Sequence, residues 1–482
     1  MLTTLFLAAT MSQAAQSPMW FHFNATSRPG PIANVPAELI AEIFRLVVLS
    51  LEKDRSRAVN TLRLVDKRWN GIAFATSELW TKVTLAYPFC LDRLSGTQRQ
   101  LEASAQKAID INIDLRDPAW MEFADEDHHP LTDPGMLHSM VEVLRGSEHR
   151  WRSLCIRSDI LYPIYEFLQQ WTAPDFPLLE SISFGLCNGN FSRYTGPTFW
   201  QDTKLQILFG SDWMPMPRLR ELSFSAVSVD WTPAVASFQN LRKLEIKYQL
   251  DKGPTYMEFA SLVAASPGIE VLDLTGYCPH AHVMSNLTGI PLVRLPALKH
   301  FTFGGLPATD VLGFLTWLQI SETLETFTLI GPGPDHQGER PSQSNSDDTS
   351  KVFNTLASLN PEDLDDKDPS SSWISMLGLK KLSVIQAEPL PQCFAAFLDG
   401  FPVVEEICLI DVGREGLLSL LSRMESRIFP FLKKVYIKQT PNCGYGLETP
   451  AEVRVYADGL RELEVQVELV VHLRGHRYIH LN

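Results

Sequence analysis

Clustered histidines and carboxylates are the groups best suited to metal or acid–base chemistry, and three short stretches of the chain bring them together. His280 and His282 flank one alanine. On a strand that spacing points both imidazoles the same way, but a zinc site needs further ligands and no third one stands nearby. The run Glu122-Phe123-Ala124-Asp125-Glu126-Asp127-His128-His129 has no regular ligand spacing and reads as a solvated loop. Glu362-Asp363-Leu364-Asp365-Asp366-Lys367-Asp368 lacks the glycine-centred spacing of a calcium loop. The seven cysteines, Cys90, Cys155, Cys187, Cys278, Cys393, Cys408 and Cys443, are scattered singly. Without a Cys-x-x-Cys pair they indicate neither a zinc site nor a redox motif. Neither G-x-S-x-G, a P-loop, G-x-G-x-x-G nor H-E-x-x-H occurs. No catalytic residue, metal or cofactor is expected, so function has to come from surfaces.

Two patterns supply candidate surfaces. The first is Val35-Pro36-Ala37-Glu38-Leu39-Ile40-Ala41-Glu42-Ile43-Phe44, followed by Leu62, Val65, Lys67-Arg68-Trp69 and Leu79-Trp80. Leu39, Ile40, Ile43, Phe44 and Val47 line one face of a helix that Pro36 opens and Glu38 favours in its first turn. A second helix is expected from about Arg57 to Phe74, with Val59, Leu62, Val65, Trp69 and Ile72 on one stripe.

The second pattern is a spaced apolar triplet that recurs beyond residue 150. It reads Trp151-Leu154-Ile156, Leu179-Ile182-Phe184, Leu219-Leu222-Phe224, Leu241-Leu244-Ile246, Ile269-Leu272-Leu274, Leu298-Phe301-Phe303, Leu324-Phe327-Leu329, Leu379-Leu382-Val384, Val404-Ile407-Leu409, Leu432-Val435-Ile437 and Leu460-Leu463-Val465. Most steps between units span 22 to 29 residues, which marks a repeat protein. A step of 40 accommodates an insertion around 188–212, and a step of 55 holds the polar stretch 331–372, favoured here as a disordered insertion rather than a degenerate repeat. Serines of that stretch, Ser342, Ser344, Ser346 and Ser350, are candidate phosphorylation sites.

Each unit supplies a strand and a return segment, often helical, as at 256–265, 310–319 and 394–398. One unit cannot bury its apolar side alone, so neighbours stack into a curved, mostly parallel sheet. Alternation along each strand then turns the triplets inward and leaves a second set on the concave face. The residues of that face that could hold a partner are Arg157, Glu221, Lys243, Lys247, Asp273, His300, Lys381, Lys434, Tyr436 and Lys438, with Glu462 and Glu464 at the end. Between the two patterns, 91–108 reads as a helix, 109–115 as a strand and 137–144 as a helix, together an atypical capping repeat.

The ordered landmarks of residues 34–85 closely resemble the F-box, and the L-x-x-L-x-L core resembles a divergent leucine-rich repeat of the kind found in fungal F-box proteins. Val35 replaces the commoner leucine, the polar Glu52–Arg57 stretch lengthens the helix connection, and the asparagine or cysteine that normally follows the repeat core is mostly missing. The resemblance implies an α/β chain with a poorly ordered leader at 1–30, an F-box at 31–87, a connecting region at 88–150 and a solenoid at 151–482. It implies an adaptor-binding set of Val35, Pro36, Leu39, Ile40, Ile43, Phe44, Leu62, Val65, Trp69, Leu79 and Trp80. The partners implied are a Skp-type adaptor, through it a cullin-RING ubiquitin ligase, and a target protein held by the solenoid. The alternative is a scaffold whose F-box-like helices only cap the solenoid. That reading expects Pro36, Ile40 and Phe44 buried against the first repeat, whereas adaptor binding expects an exposed apolar patch.

Composition agrees with a folded chain: 482 residues, 45% hydrophobic and 20% charged. A net charge of −14 disfavours nucleic acid and anionic membranes as partners. No apolar run is long enough to span a bilayer. Met1–Ala15 lacks the basic start of a signal peptide, and Met11 is an alternative start. Unpaired cysteines fit a reducing compartment, cytoplasm or nucleus.

Overall fold

The computed structural model describes residues 31–51, 55–87, 91–116, 134–170, 176–187, 216–227, 229–249, 253–279, 292–320, 322–331, 344–358, 373–374, 377–439, 466–471 and 479–481. The leader, the acidic histidine-containing stretch, His280, His282 and residues 362–368 lie outside them, as do Leu460, Glu462, Leu463, Glu464 and Val465. The chain divides into two compact units, Met1–Leu79 and Trp80–Asn482.

Among the described residues the first unit contains three α-helices, α1 (Ala37–Ser50), α2 (Arg55–Arg63) and α3 (Lys67–Ala75), between short 3-10 turns. The single helix expected from Arg57 to Phe74 is in fact two. Leu64 and Val65 close α2 with tight bonds to the Thr61 and Leu62 carbonyls. Asp66 then leaves helical geometry, and its carboxylate accepts the Trp69 N–H at 2.8 Å, an N-cap that starts α3 afresh. Helix α1 packs against both others. Ile40, Phe44 and Val48 of α1, Ala58, Val59 and Leu62 of α2 and Ala73 of α3 are all buried, with the Phe44 ring 4.8 Å from that of Trp69. Arg68 donates to the carbonyls of Ile32 and Val35, tying the entry segment to α3.

The second unit is a leucine-rich-repeat-like solenoid built on one long sheet. Its strands are β1 (Lys82–Ala86), β2 (Ile109–Asp114), β3 (Trp151–Ser158), β4 (Ser181–Leu186), β5 (Glu221–Ser225), β6 (Lys243–Lys247), β7 (Val271–Thr275), β9 (His300–Gly304), β11 (Thr326–Ile330), β13 (Lys381–Ile385), β14 (Glu406–Ile410), β15 (Lys434–Gln439), β16 (Gln466–Val471) and β17 (Ile479–Leu481). Neighbours in this order pair in parallel, except the antiparallel pair β16 and β17. Residues 82–86, which the sequence places at the end of the helical module, are the first strand of this sheet. The reading of 91–144 corresponds to α4 (Leu91–Ala103), β2 and α5 (Pro134–Leu144).

Register explains why the triplets matter. Leu154, Ile182, Leu222 and Leu244 face one another across adjacent strands, and so do Ile156, Phe184, Phe224 and Ile246. The same two rows run on through Phe301 and Phe303 to Val435 and Ile437, all buried. Return helices α6 (Leu161–Gln169), α7 (Trp231–Ser237), α8 (Tyr256–Ala264), α9 (Ala308–Leu315), α10 (Ser344–Ser358), α11 (Pro391–Asp399) and α12 (Arg414–Glu425) contribute to this core. Helix α9 ends earlier than the sequence suggests, because Leu318–Ile320 forms β10. With β8 (Val293–Leu295) and β12 (Trp373–Ile374) it makes a second, three-stranded parallel sheet that the triplet pattern does not announce.

The residue after each triplet's first position forms a further ladder. Arg152, Glu180, Arg220, Arg242, Glu270, Lys299, Glu325, Lys380, Glu405 and Lys433 are all charged, and after the first each N–H donates to the preceding member's carbonyl, at 2.7 to 2.9 Å. From Arg242 onward the signs alternate, with pairs such as Lys299 to Glu270 at 2.7 Å and Lys433 to Glu405 at 2.6 Å. Exposed pairs contribute little singly, but alternation penalises slipped stacking, which would bring like charges together.

Part of the polar stretch 331–372 is a helix. Val352, Phe353 and Leu356 of α10 are buried, and α10 packs between α9 and α11. The long step is therefore one enlarged unit whose return helix is α10. Ser350 is buried and accepts the Leu390 N–H at 2.9 Å, which removes it as an accessible phosphorylation site.

One close approach yields a prediction. Gly304 ends β9 with φ of +120°, and a methyl group built on it would lie 1.9 Å from the Ile330 carbonyl oxygen. Gly304→Ala is expected to destabilise the solenoid by roughly 3 kcal/mol, from backbone strain and displacement of β11. Gly305→Ala, whose nearest neighbour would be at 3.3 Å, should cost less. Urea unfolding of both variants checks this; equal midpoints would mean that β9 and β11 are not held at this contact.

Candidate interaction surfaces

Helix α1 carries two apolar stripes. Ile40 and Phe44, at 3% and 1% exposure, belong to the helical core, while Leu39, Ile43 and Leu46, at 56%, 48% and 59%, share the adjacent face. Positions i, i+4 and i+7 fall on one side of a helix, so these three form a continuous ridge. Leu49 and Leu51 extend the exposed apolar set along the chain, and Ile32, Leu64 and Val65 add to it. Among the described residues, thirteen large apolar side chains are exposed, and these eight belong to the first unit.

The sequence-derived adaptor set therefore separates into two groups. Pro36, Leu39, Ile43 and Val65 are exposed and Val35 is half-buried, whereas Ile40, Phe44, Leu62, Leu79 and Trp80 are buried and Trp69 is half-buried against Phe44. Leu46, Leu49 and Leu64 escaped the sequence reading, although Leu46 completes the i, i+4, i+7 spacing begun at Leu39. Arg57, Lys67 and Arg68 lie exposed on α2 and α3, and an open cleft of about 620 Å³ is lined by Asn60, Arg63, Leu64, Asp66, Lys67 and Asn70. Arg63 donates to Asn70 at 3.0 Å and lies over the Phe74 ring. On α1, the Arg45 guanidinium 2.7 Å from Glu42 holds that carboxyl below its usual range.

The open face of the solenoid sheet gathers the second set in register. Arg157, Glu221, His300 and Lys381 are exposed; Lys243, Lys247, Asp273, Lys434, Tyr436 and Lys438 are half-buried. Most of the cations are engaged within the face. Lys243 lies 3.0 Å from Glu245, Lys247 2.8 Å from Asp273, Lys381 3.4 Å from Glu406 and Lys434 3.6 Å from Glu468. Burial raises the pKa of Glu245, but the Ser223 hydroxyl and the ammonium groups of Lys243 and Lys247 outweigh it and leave the carboxyl below its usual range. Burial likewise lowers Lys247, and Asp273 with Glu245 more than reverses it. These charges bind one another before they bind anything else.

Gln466 and Glu468 take the places on this face that the sequence assigns to Glu462 and Glu464. Strand β16 pairs Gln466 with Lys434, so the last strand runs four residues later than the Leu460-Leu463-Val465 triplet. Among the described residues no group of three or more His, Cys, Asp or Glu side chains could hold a metal ion. No described helix is long and apolar enough to cross a membrane.

No protein-family model and no curated protein matches the chain. A solved structure, the crystal structure of the Rad7 and Elc1 complex in yeast, is similar over 92% of this chain and 94% of its own, at 13% sequence identity and a TM-score of 0.35. A superposition that loose transfers no residue roles.

Proposed function

We propose that the chain is a non-catalytic substrate receptor of a Skp–cullin–RING ubiquitin ligase, acting in the cytoplasm or nucleus. The helical unit docks a Skp-type adaptor and the open face of the solenoid holds a target protein. The observation that carries this reading is the concentration of exposed apolar side chains on a small helical unit whose sequence has the F-box landmarks. Exposed apolar surface on that scale costs solubility unless a partner covers it. The contact set is Val35, Pro36, Leu39, Ile43 and Val65, enlarged by Leu46. Ile40, Phe44 and Leu62 act indirectly, by holding the helices that present it. The basic residues of α2 and α3 suit an apolar partner surface with an acidic rim. The mechanism is tethering, which raises the effective concentration of target lysines near a charged conjugating enzyme.

The capping alternative expects Phe44 against the first repeat, whereas Phe44 packs on Trp69 of its own unit. The deciding experiment is a pull-down of the purified chain with a Skp-type adaptor and cullin. Wild type should bind, and Leu39→Glu/Ile43→Glu should bind about a hundredfold more weakly with unchanged helix content, as expected for central apolar anchors. A wild-type chain that retains no adaptor would sink the ligase reading and leave the scaffold.

A further inference from the structure

The open face has three side-chain rows, and the row at the C-terminal ends of the strands changes character part-way along the sheet. From β2 to β9 it is polar, charged or glycine, as Arg157, Lys247, Thr275 and Gly304 illustrate. On three consecutive strands it then becomes isoleucine. Ile330 pairs with Ile385, Ile385 with Ile410, and Ile410 with Lys438. All three isoleucines are partly exposed. Adjacent strands lie about 4.8 Å apart, so the stripe is roughly 10 Å long.

Its surroundings are shaped as well. The next row on the same strands is Thr328, Ser383 and Cys408, short side chains that leave the isoleucines standing proud, and Gly304 lowers the stripe's other end. Lys438 ends the run of isoleucines, and the row passes on to Val470 of β16. Lys381 and Lys434 are shared with Glu406 and Glu468, but among the described residues the Lys438 ammonium has no ion-pair partner. An aliphatic stripe ending in a cation that no described carboxylate pairs is complementary to aliphatic side chains followed by a carboxylate.

We propose that this stripe seats an extended segment of the target protein that presents aliphatic side chains on the isoleucines and an acidic residue to Lys438. β-Branched residues also brace neighbouring strands through cross-strand contacts, and that role alone would leave peptide binding unaffected. The inference rests on the receptor reading for its target, but its assay contains no adaptor. Loss of adaptor binding and loss of segment binding are thus separate results.

The test is fluorescence anisotropy of the full chain with three labelled peptides on a Gly/Ser background. One carries three isoleucines followed by glutamate, one has lysine for the glutamate, and one has serine for the isoleucines. The first should bind about tenfold more tightly than the others, a difference one ion pair or a few apolar contacts can supply. Ile385→Ser/Ile410→Ser should abolish that preference, and Lys438→Glu should transfer it to the lysine peptide. Equal binding of the three peptides, or preference unchanged in the variants, overturns the proposal. Sedimentation of the same proteins tests a second copy as occupant: a dimer in wild type that the double serine variant dissolves would overturn it too.

Discussion

Phe44→Asp is expected to unfold the helical unit while the solenoid sheet stays folded. Phe44 is 1% exposed, packs on Trp69 and lies at the centre of α1's buried stripe. Truncating a buried phenylalanine costs about 3–5 kcal/mol, and placing a carboxylate there adds the cost of an unpaired buried charge. A unit this small has only a few kcal/mol to lose. Hydrogen exchange should therefore show protection collapsing over residues 37–75 with little change in β2–β15. Leu39→Asp on the neighbouring stripe, at 56% exposure, should leave that protection intact. Retained protection in the Phe44 variant would mean that the buried stripe does not hold the three helices together. The contrast also bears on how the adaptor is tested: a Phe44 variant would lose binding by unfolding, so only the exposed stripe can report on contact.

Why the sequence does not separate those stripes follows from α1 itself. Leu39, Ile40, Ile43, Phe44 and Val47 span a wide apolar arc, and helical periodicity locates such an arc without saying which half meets α2 and α3. That choice is made by tertiary packing. The break between α2 and α3 was visible in principle, because Asp66 three residues before Trp69 is an N-cap spacing, but the continuous stripe through Val65 and Trp69 masks it.

The solenoid is more legible, since each triplet fixes which alternate residues of its strand turn inward, and neighbouring strands then align triplet against triplet. Legibility fails where the pattern is degenerate. From Leu463 to Leu469 apolar and polar residues alternate without a break, so a shift of four residues preserves the facing of every side chain; pairing with β15 decides the register instead. The isoleucine stripe and the charged ladder are invisible in any single unit. Each emerges only when the strands are laid side by side, because its members stand whole repeats apart in sequence.

The segment 344–358 was obscured by composition, and its test is the second large effect. Its serines and aspartates read as disorder, yet Val352, Phe353 and Leu356 share one helical face and are buried. The Phe353 ring meets Phe397 at 4.7 Å and Phe394 at 5.2 Å, both edge to face. Phe353→Ala should cost about 3–5 kcal/mol, combining lost burial, a cavity and two aromatic contacts. In a stacked array each unit is held mainly by its neighbours, so the loss should be local. Helix α10 should become susceptible to limited proteolysis and α11 should lose exchange protection, while β2–β7 keep theirs. A variant as resistant as wild type would show that 344–358 adds nothing to the stack, and would restore the reading of this stretch as an insertion that the solenoid merely tolerates.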